Sequence, residues 1–270
     1  MKQNHFIIPY SGNKRQEVET IHESLNLDGI ETIIEPFCGT SAMSFYLSRL
    51  YPKRFKYILN DLDERLMELY AVMKDETKYN ELILKSKEYY DFVFDNDLDE
   101  NGKRERYNSL KTNNDLVTWV FMRTYYSFRA GVFPRFNHKK GSRDGRTKFM
   151  NYNIPIISFL RNEDIEFRCE DALNLVKQYK DNKSVLMFLD PPYFDCDNTF
   201  YKHQGLEIYP YLHETRLDSF KASIYLVVNL TEPIQNMFQE YFIKIYSKQY
   251  NVTRYKKVEH VIISNVNAHG

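Results

Sequence analysis

Four consecutive residues, Asp190, Pro191, Pro192 and Tyr193, follow a run of apolar residues at positions 185–189. The apolar run predicts a buried strand. Proline has no backbone N–H and a fixed φ, so the two prolines end the strand and restrain the carbonyl groups beside them. The sequence therefore predicts a rigid corner that presents a carboxylate, a backbone carbonyl and an aromatic ring directly after a strand.

The residue types in this corner suit the exocyclic amine of a nucleobase. The Asp190 carboxylate and the Pro191 carbonyl can accept the two amine hydrogens, and the Tyr193 ring can stack on the base. Such an amine is a poor nucleophile because its lone pair is delocalised into the ring. Two fixed acceptors favour a pyramidal nitrogen whose lone pair points at an electrophile. The alternative, a turn that only ends a core strand, explains the prolines but not the flanking Asp and Tyr.

The segments that must position this corner alternate between strand-like and helical patterns. Strands are predicted at 31–37, 56–61, 165–171, 184–190 and 223–230, helices at 41–51, 63–75 and 172–180, and two β-rich segments, 242–250 and 257–265, close the chain. This alternation predicts an α/β fold with a mostly parallel sheet that is covered by helices on both faces.

Ligands of such sheets bind beyond the carboxyl ends of the strands, near the switch in strand order. In the loop after the first predicted strand, Gly39 permits a tight turn before a helix. Asp61 ends the second strand, where its carboxylate can accept the hydroxyl protons of an adenosine ribose. Taken alone, Asp61 is better explained as the N-cap of the following helix. The chain has neither G-x-G-x-x-G nor G-x-x-x-x-G-K-[ST], which gives little support to a dinucleotide cofactor or a phosphate loop.

The composition bounds the class of protein. The 37 Lys and Arg residues balance 37 Asp and Glu residues, so a polyanion must be held by a local basic patch and not by a global field. Cys38, Cys169 and Cys196 lie far apart without a C-x-x-C pair, which argues against a disulfide framework or a structural zinc site. No apolar run in the sequence approaches the roughly 18 residues of a membrane span, and the short polar start MKQNHFIIPYSG is not the pattern expected of a signal peptide. We expect a soluble cytoplasmic protein.

The alternating pattern breaks at about residues 79–162, which we interpret as an inserted domain within a catalytic domain of residues 1–78 and 163–270. Between residues 129 and 148 it carries seven Lys or Arg against one acid, a balance of 7 − 1 = +6 that suits phosphates. A preceding helical segment has Trp119 beside an apolar face of Val117, Val120, Phe121 and Tyr125. This face predicts the core of the inserted domain and not a binding surface.

Five motifs, PYSGNK (9–14), EPFCG (35–39), NDLD (60–63), CEDAL (169–173) and DPPY (190–193), occur in this order. Their types and order resemble the Dam-type N6-adenine DNA methyltransferases, which use S-adenosylmethionine (SAM). The resemblance implies that the DPPY motif, Asp190 to Tyr193 with Pro191 and Pro192, is catalytic. It also implies a set of cofactor-binding residues: Tyr10, Lys14, Glu35, Phe37, Gly39, Asp61, Asp171 and Asp190.

The basic stretch FRAGVFPRFN (128–137) has the pattern of a β-hairpin and resembles the DNA-recognition hairpin of that family. The resemblance implies that Arg135 reads guanine O6 and N7, and that Phe128 or Phe133 fills the gap left by an extruded base. The alternative is a solvated basic loop. The predicted DNA-binding residues are Phe128, Arg129, Phe133, Arg135, Asn137, Lys139, Lys140, Arg143 and Arg146.

The resemblance thus implies a Rossmann-like methyltransferase sheet with an inserted, mostly helical DNA-recognition domain at 79–162. It implies a site-specific enzyme that transfers a methyl group from SAM to N6 of an adenine extruded from duplex DNA. We expect a monomer that needs no metal and no membrane. The alternatives are methylation of cytosine N4, RNA adenine or a protein glutamine, or a non-catalytic DNA-binding descendant. The hairpin argues against glutamine, because an amide side chain needs no base-reading arm.

Overall fold

A computed structural model describes residues 6–8, 14–126, 154–193, 206–250 and 256–266. In these residues a sheet of seven strands has the order β3-β2-β1-β4-β5-β7-β6. Strands β1 to β5 run parallel, and β7 is antiparallel to both β5 and β6. The strands are β1 (Thr32–Glu35), β2 (Lys56–Asn60), β3 (Asp164–Arg168), β4 (Val185–Leu189), β5 (Ser223–Asn229), β6 (Phe242–Tyr250) and β7 (Lys256–Ser264).

The helices of the described ranges lie before and between these strands. They are α1 (Val18–His22), α2 (Ala42–Leu50), α3 (Glu64–Lys74), α4 (Glu76–Val93), α5 (Glu100–Leu110), α6 (Leu116–Tyr126), α7 (Pro155–Asn162), α8 (Ala172–Tyr179), α9 (Ile208–Thr215) and α10 (Glu232–Phe238). Two short 3-10 turns, Leu217–Ser219 and Gln239–Tyr241, follow α9 and α10.

The strand order reverses between β1 and β4. From β1 the order runs outward through β2 to β3, and β4 then pairs with the opposite side of β1. The carboxyl ends of β1 and β4 therefore flank the switch point, which is where open α/β sheets bind ligands. The prediction of a Rossmann-like, mostly parallel α/β sheet is confirmed. The sequence pattern did not indicate that β6 and β7 form an antiparallel pair at its edge.

Both faces of the central strands are buried. In β4, Met187 and Leu189 pack into a core cluster with residues of α8, α9 and α10. Leu186 and Phe188, which point to the opposite face, are equally inaccessible to solvent. A strand buried on both faces needs apolar side chains at every position and not at alternate ones. This requirement explains the uninterrupted apolar run before the DPPY corner.

The chain divides into two compact units. One contains the sheet and comprises Lys14–Leu62 with the described residues from Glu163 onward; the other comprises residues 6–8 with the described part of 63–162. In this helical unit Trp119, Val120 and Phe121 are buried, as the sequence predicted, and Val117 is half-buried. Tyr125 has no described side chain. The limits 79–162 for a recognition domain remain a prediction.

No helix in the described ranges combines the length and the apolar character needed to cross a membrane.

Candidate active site

Lys14 connects the two ends of the DPPY corner. Its Nζ atom lies 2.5 Å from Asp190 Oδ1 and donates a hydrogen bond to the Tyr193 hydroxyl at 2.7 Å. The Lys14 side chain is 3% exposed and that of Asp190 is 18% exposed, so this ion pair is largely shielded from water. Shielding strengthens the attraction between the two charges. Lys14 therefore holds the carboxylate and the aromatic ring of the corner in one arrangement.

The remaining parts of the corner are also held from outside the motif. The hydroxyl of Tyr209, a fully buried residue of α9, donates to the Pro192 carbonyl at 3.0 Å. The Tyr193 ring packs edge-on against His260 of β7, with 5.7 Å between the ring centroids. Pro191 is buried. Contacts from α9 and β7 thus add to the restraint that the two prolines impose.

The environment of Asp190 raises the pKa of its carboxyl group above the usual value. Burial is the main cause, and the negative charge of Glu17 contributes in the same direction. The positive charge and hydrogen bond of Lys14 oppose the rise without cancelling it. A carboxylate with a raised pKa binds a proton more strongly. Asp190 is therefore a better hydrogen-bond acceptor than an exposed aspartate.

Glu35 ends β1 on the other side of the switch point. It is 2% exposed and accepts the backbone N–H of Ser44 in α2 at 2.7 Å. Burial raises its pKa to about 7, the hydrogen bonds of Ser44 oppose this rise, and the negative charge of Asp190 adds to it. Glu35 therefore exists in both protonation states near neutral pH.

The turn after β1 is tied to the end of β2. Gly39 has a φ of 47°, a conformation that glycine adopts at little cost, and its N–H donates to Asp61 Oδ2 at 3.0 Å. The structure contradicts the interpretation of Asp61 as a helix cap, since the N-cap of α3 is Asp63, whose carboxylate accepts from Leu66 N. Phe37, in the same turn as Gly39, packs partly buried against the core cluster.

Asn60 joins the loops that follow three neighbouring strands. It is fully buried, and its Nδ2 donates to the carbonyls of Pro36 and Glu170, each at 2.9 Å. Its Oδ1 accepts the Glu170 N–H, also at 2.9 Å. The sequence analysis missed this residue. The available signal was an asparagine that directly follows an apolar strand, where a buried amide must find partners.

Comparison with known proteins assigns the family. Residues 10–256, which contain the candidate site, match the protein family described as "D12 class N6 adenine-specific DNA methyltransferase". The chain belongs to this family of DNA methyltransferases. The resemblance stated from the motifs is confirmed, and the protein is an adenine-specific DNA methyltransferase.

Other similarities of this methyltransferase are more distant. The type II methyltransferase M.MjaIII of Methanocaldococcus jannaschii is 29% identical over 210 residues, which cover 71% of this chain and 70% of that protein. Two solved structures each cover 93% of this chain with a TM-score of 0.37. One is the rRNA methyltransferase aviRa of Streptomyces viridochromogenes, with 14% identity over 83% of that chain. The other is the N-terminal domain of human METTL16 in complex with SAH, with 8% identity over 68% of that chain. Similarities as low as these two carry no information on function.

The other predicted site residues of the methyltransferase fall into two groups. Asp171 is exposed and caps α8, with its carboxylate accepting Leu173 N–H at 2.8 Å. It follows Glu170, which Asn60 holds, so the cap stands at the same edge of the sheet. The remaining residues lie outside the described part of the chain: Tyr10, Phe128, Arg129, Phe133, Arg135, Asn137, Lys139, Lys140, Arg143 and Arg146.

The chemistry of the strand ends of this methyltransferase fits SAM. The cofactor carries ribose hydroxyls, an ammonium group and an exocyclic amine, all of which donate hydrogen bonds. The carboxylates of Asp61 and Asp190 at the ends of β2 and β4 are acceptors for such groups. The positive φ of Gly39 lets a ligand approach the backbone of the turn after β1. Among the described residues, no group of three or more His, Cys, Asp or Glu side chains could hold a metal ion.

Replacing Asn60 by Ala is expected to lower the free energy of unfolding by about 3 kcal/mol, about 1 kcal/mol for each of the three hydrogen bonds lost. The loops after β1 and β3 lose their connection to β2, so SAM affinity is expected to fall as well. Thermal and urea unfolding, with calorimetric titration of SAM, measure both effects. Asn174→Ala, on the exposed side of α8, serves as the control and is expected to match wild type. An Asn60→Ala protein as stable as this control contradicts the role.

Proposed function

We propose that the enzyme transfers the methyl group of SAM to N6 of an adenine in a specific sequence of duplex DNA, on a base turned out of the helix. The observation that carries this proposal is the contact of buried Lys14 with partly buried Asp190 and Tyr193 at the switch point between β1 and β4. The family assignment supplies the adenine specificity and the DNA substrate.

In this proposal Asp190 and the Pro191 carbonyl accept the two hydrogens of the adenine amine. SAM, when bound, supplies the activated methyl group. The N6 atom gains the methyl group and loses one proton, and the Asp190 carboxylate is placed to hold the hydrogen that leaves. Its raised pKa supports this role, because a more basic carboxylate holds that hydrogen more strongly.

Tyr193 would provide the surface on which the extruded base stacks. Lys14 binds its hydroxyl and lies 4.9 Å from the centre of its ring, while His260 packs against the ring edge. A ring that is already fixed loses little conformational freedom when the base arrives. Stacking on an aromatic side chain contributes on the order of 1–3 kcal/mol per base, which offsets part of the cost of unstacking the adenine.

Asp61 would accept the ribose hydroxyls of SAM, beside the Gly39 turn that it already holds. Tyr10, Glu35, Phe37 and Asp171 complete the proposed cofactor set on the basis of the family motifs. Lys14 contacts Asp190. In this proposal Lys14 therefore positions the DPPY corner in addition to binding the cofactor.

The proposed DNA contacts come from the basic stretch at 129–148. In this proposal the inserted segment, residues 79–162, reaches the phosphates and base edges of the DNA. An enzyme that reacts at an atom inside a duplex must turn the base outward to reach it. We propose that Arg135 reads one guanine, and that the protein acts on DNA as a monomer. Substitution of Arg135 by Ala, assayed on duplexes altered one base pair at a time, tests this reading.

The central experiment incubates the purified protein with tritiated SAM and unmethylated plasmid DNA, followed by digestion and nucleoside analysis by mass spectrometry. N6-methyladenine as the only methylated product supports the proposal. N4-methylcytosine would transfer the function to the other amine, and methylation of an RNA but not of the plasmid would replace the DNA substrate. Binding of DNA without incorporation of label would indicate a non-catalytic descendant.

A further inference from the structure

Glu17 lies three residues after Lys14 and connects it to the antiparallel edge of the sheet. The Glu17 carboxylate is buried, and its backbone N–H donates to the Lys14 carbonyl at 2.7 Å. The Tyr246 hydroxyl donates to Glu17 Oε2 at 2.7 Å, and His260 Nδ1 lies 2.8 Å from the same oxygen. Lys248 pairs with Oε1. Side chains of both β6 and β7 thus converge on one carboxylate beside Lys14.

Glu17 carries its negative charge throughout the pH range in which enzymes work. Burial alone would raise the pKa of Glu17. Contact with His260 and the positive charges of Lys14 and Lys248 outweigh burial and lower this pKa to about 2. Burial lowers the pKa of Lys248, and the negative charge of Glu17 opposes this lowering. The result is a fixed buried charge close to the corner.

The positive charge of Lys14 acts on two carboxylates. Its Nζ contacts Asp190 directly, while its charge also stabilises the ionised form of Glu17. In turn, the charge of Glu17 raises the pKa of Asp190, whereas the charge of Lys248 lowers it. The electrostatic state of Asp190 therefore depends on the N-cap residue of α1 and on a residue of β6, which lie outside the DPPY motif.

We propose that Glu17 is a positioning residue for methyl transfer, which acts through Lys14 to set how strongly Asp190 accepts hydrogens from the target amine. The negative charge of Glu17 reduces the effect of the Lys14 charge on Asp190. The positive charge of Lys248 in turn reduces the effect of Glu17. The inference rests on the proposed role of Asp190, and it adds a partner that lies outside the family motifs quoted above.

Glu17→Gln removes the charge and keeps the size of the side chain. The negative charge of Glu17, which raises the pKa of Asp190, is then lost. The pKa of Asp190 falls, and its carboxylate becomes a weaker acceptor. The single-turnover rate at saturating SAM and plasmid DNA is expected to fall about 10-fold, which corresponds to about 1.4 kcal/mol of lost transition-state stabilisation. The KM values for SAM and DNA are expected to stay within about 2-fold, because on the proposed role neither ligand touches Glu17.

The pH dependence provides a readout that a purely structural role would not change. Activity requires the Asp190 carboxylate and is lost as pH falls through the pKa of Asp190, so a lower pKa moves this loss to lower pH. Glu17→Gln is expected to shift the acid limb to lower pH. Lys248→Met removes a charge that lowers the pKa of Asp190, so it is expected to shift the limb to higher pH. Buried Glu35, with a pKa of about 7, and Lys14 also face Asp190, and they are the same in all three proteins.

A second ion pair between the end of α1 and β6 involves an exposed carboxylate and provides a matched control. Glu23, at the end of α1, pairs with Lys244 of β6 at 2.7 Å, and the Glu23 side chain is exposed. Glu23→Gln is expected to keep the wild-type rate and pH profile. If Glu17→Gln does not fold by circular dichroism, a shift of the acid limb to higher pH in Lys248→Met but not in Glu23→Gln supports the inference, and equal profiles of these two variants overturn it.

The outcomes separate the inference from the proposed function. Opposite shifts of the acid limb in Glu17→Gln and Lys248→Met support the inference. Lower rates without a pH shift, shifts in one common direction, or profiles equal to wild type overturn it while the wild-type enzyme still methylates adenine. A wild-type protein that transfers no methyl group to adenine overturns the proposed function itself.

Discussion

Replacing Asp190 by Asn is expected to lower the single-turnover rate of adenine methylation by about 10³-fold, the upper range for loss of one preorganised polar group. The amide keeps the size of the side chain but loses the charge, and one of its two positions becomes a donor that repels an amine hydrogen. Lys14 also loses the carboxylate that lies 2.5 Å from its Nζ. Rapid quenching with enzyme in excess over plasmid DNA measures the rate.

DNA affinity should change by less than about 3-fold in Asp190→Asn, because phosphate contacts and not the catalytic corner position the duplex. Fluorescence anisotropy with a labelled duplex tests this. Asp181→Asn, exposed in the turn after α8, is the matched control and is expected to retain wild-type activity. A rate for Asp190→Asn within about 10-fold of wild type, in a protein that folds normally, would remove Asp190 from the chemistry.

Asp61→Ala is expected to weaken SAM binding about 30-fold, which corresponds to about 2 kcal/mol for hydrogen bonds to a charged group. The ribose hydroxyls lose their proposed acceptor, and the Gly39 N–H loses the carboxylate that holds the turn after β1. Isothermal titration calorimetry with SAM in the absence of DNA measures the affinity directly.

The neighbouring acid Asp63 offers a matched control for Asp61. Asp63 caps α3, so Asp63→Ala is expected to cost about 1 kcal/mol of stability and to leave SAM affinity unchanged. The two variants therefore separate a cofactor ligand from a helix cap within one short motif. Equal SAM affinity in wild type and Asp61→Ala would falsify the assignment of Asp61.

Most of the secondary structure of the sheet unit, and the place of the catalytic corner, could be predicted from the sequence. The strand predicted at 56–61 is β2, Lys56–Asn60, and the helix predicted at 172–180 is α8, Ala172–Tyr179. Such segments are readable because a strand buried on both faces leaves an unbroken apolar run, and a capping Asp marks where a helix begins. The types and order of the short motifs were enough to identify the family, since four of the five motifs place particular residue types at strand ends.

Local patterns could not decide between two residues of the same type. The segment Asn60 to Asp63 contains two acids that can each cap a helix, and Asp61 considered without the other motifs was better explained as that cap. The backbone positions the first acid beside Gly39 and leaves the cap to Asp63. Which acid faces the turn after β1 depends on how β2 pairs with β1, and no short segment encodes that pairing.

Which polar residues lie together around Asp190 depends on the tertiary structure. Glu17 and Lys248 are separated by 231 residues in the sequence, and each looks like an ordinary surface charge in its own segment. They meet because β7 pairs antiparallel with β5 and β6 lies beyond it at the edge of the sheet. The pKa of a buried group depends on desolvation and on charges a few ångströms away, and strand order sets those neighbours. The sequence therefore determined which groups can do the chemistry, and the sheet topology decided which charges adjust them.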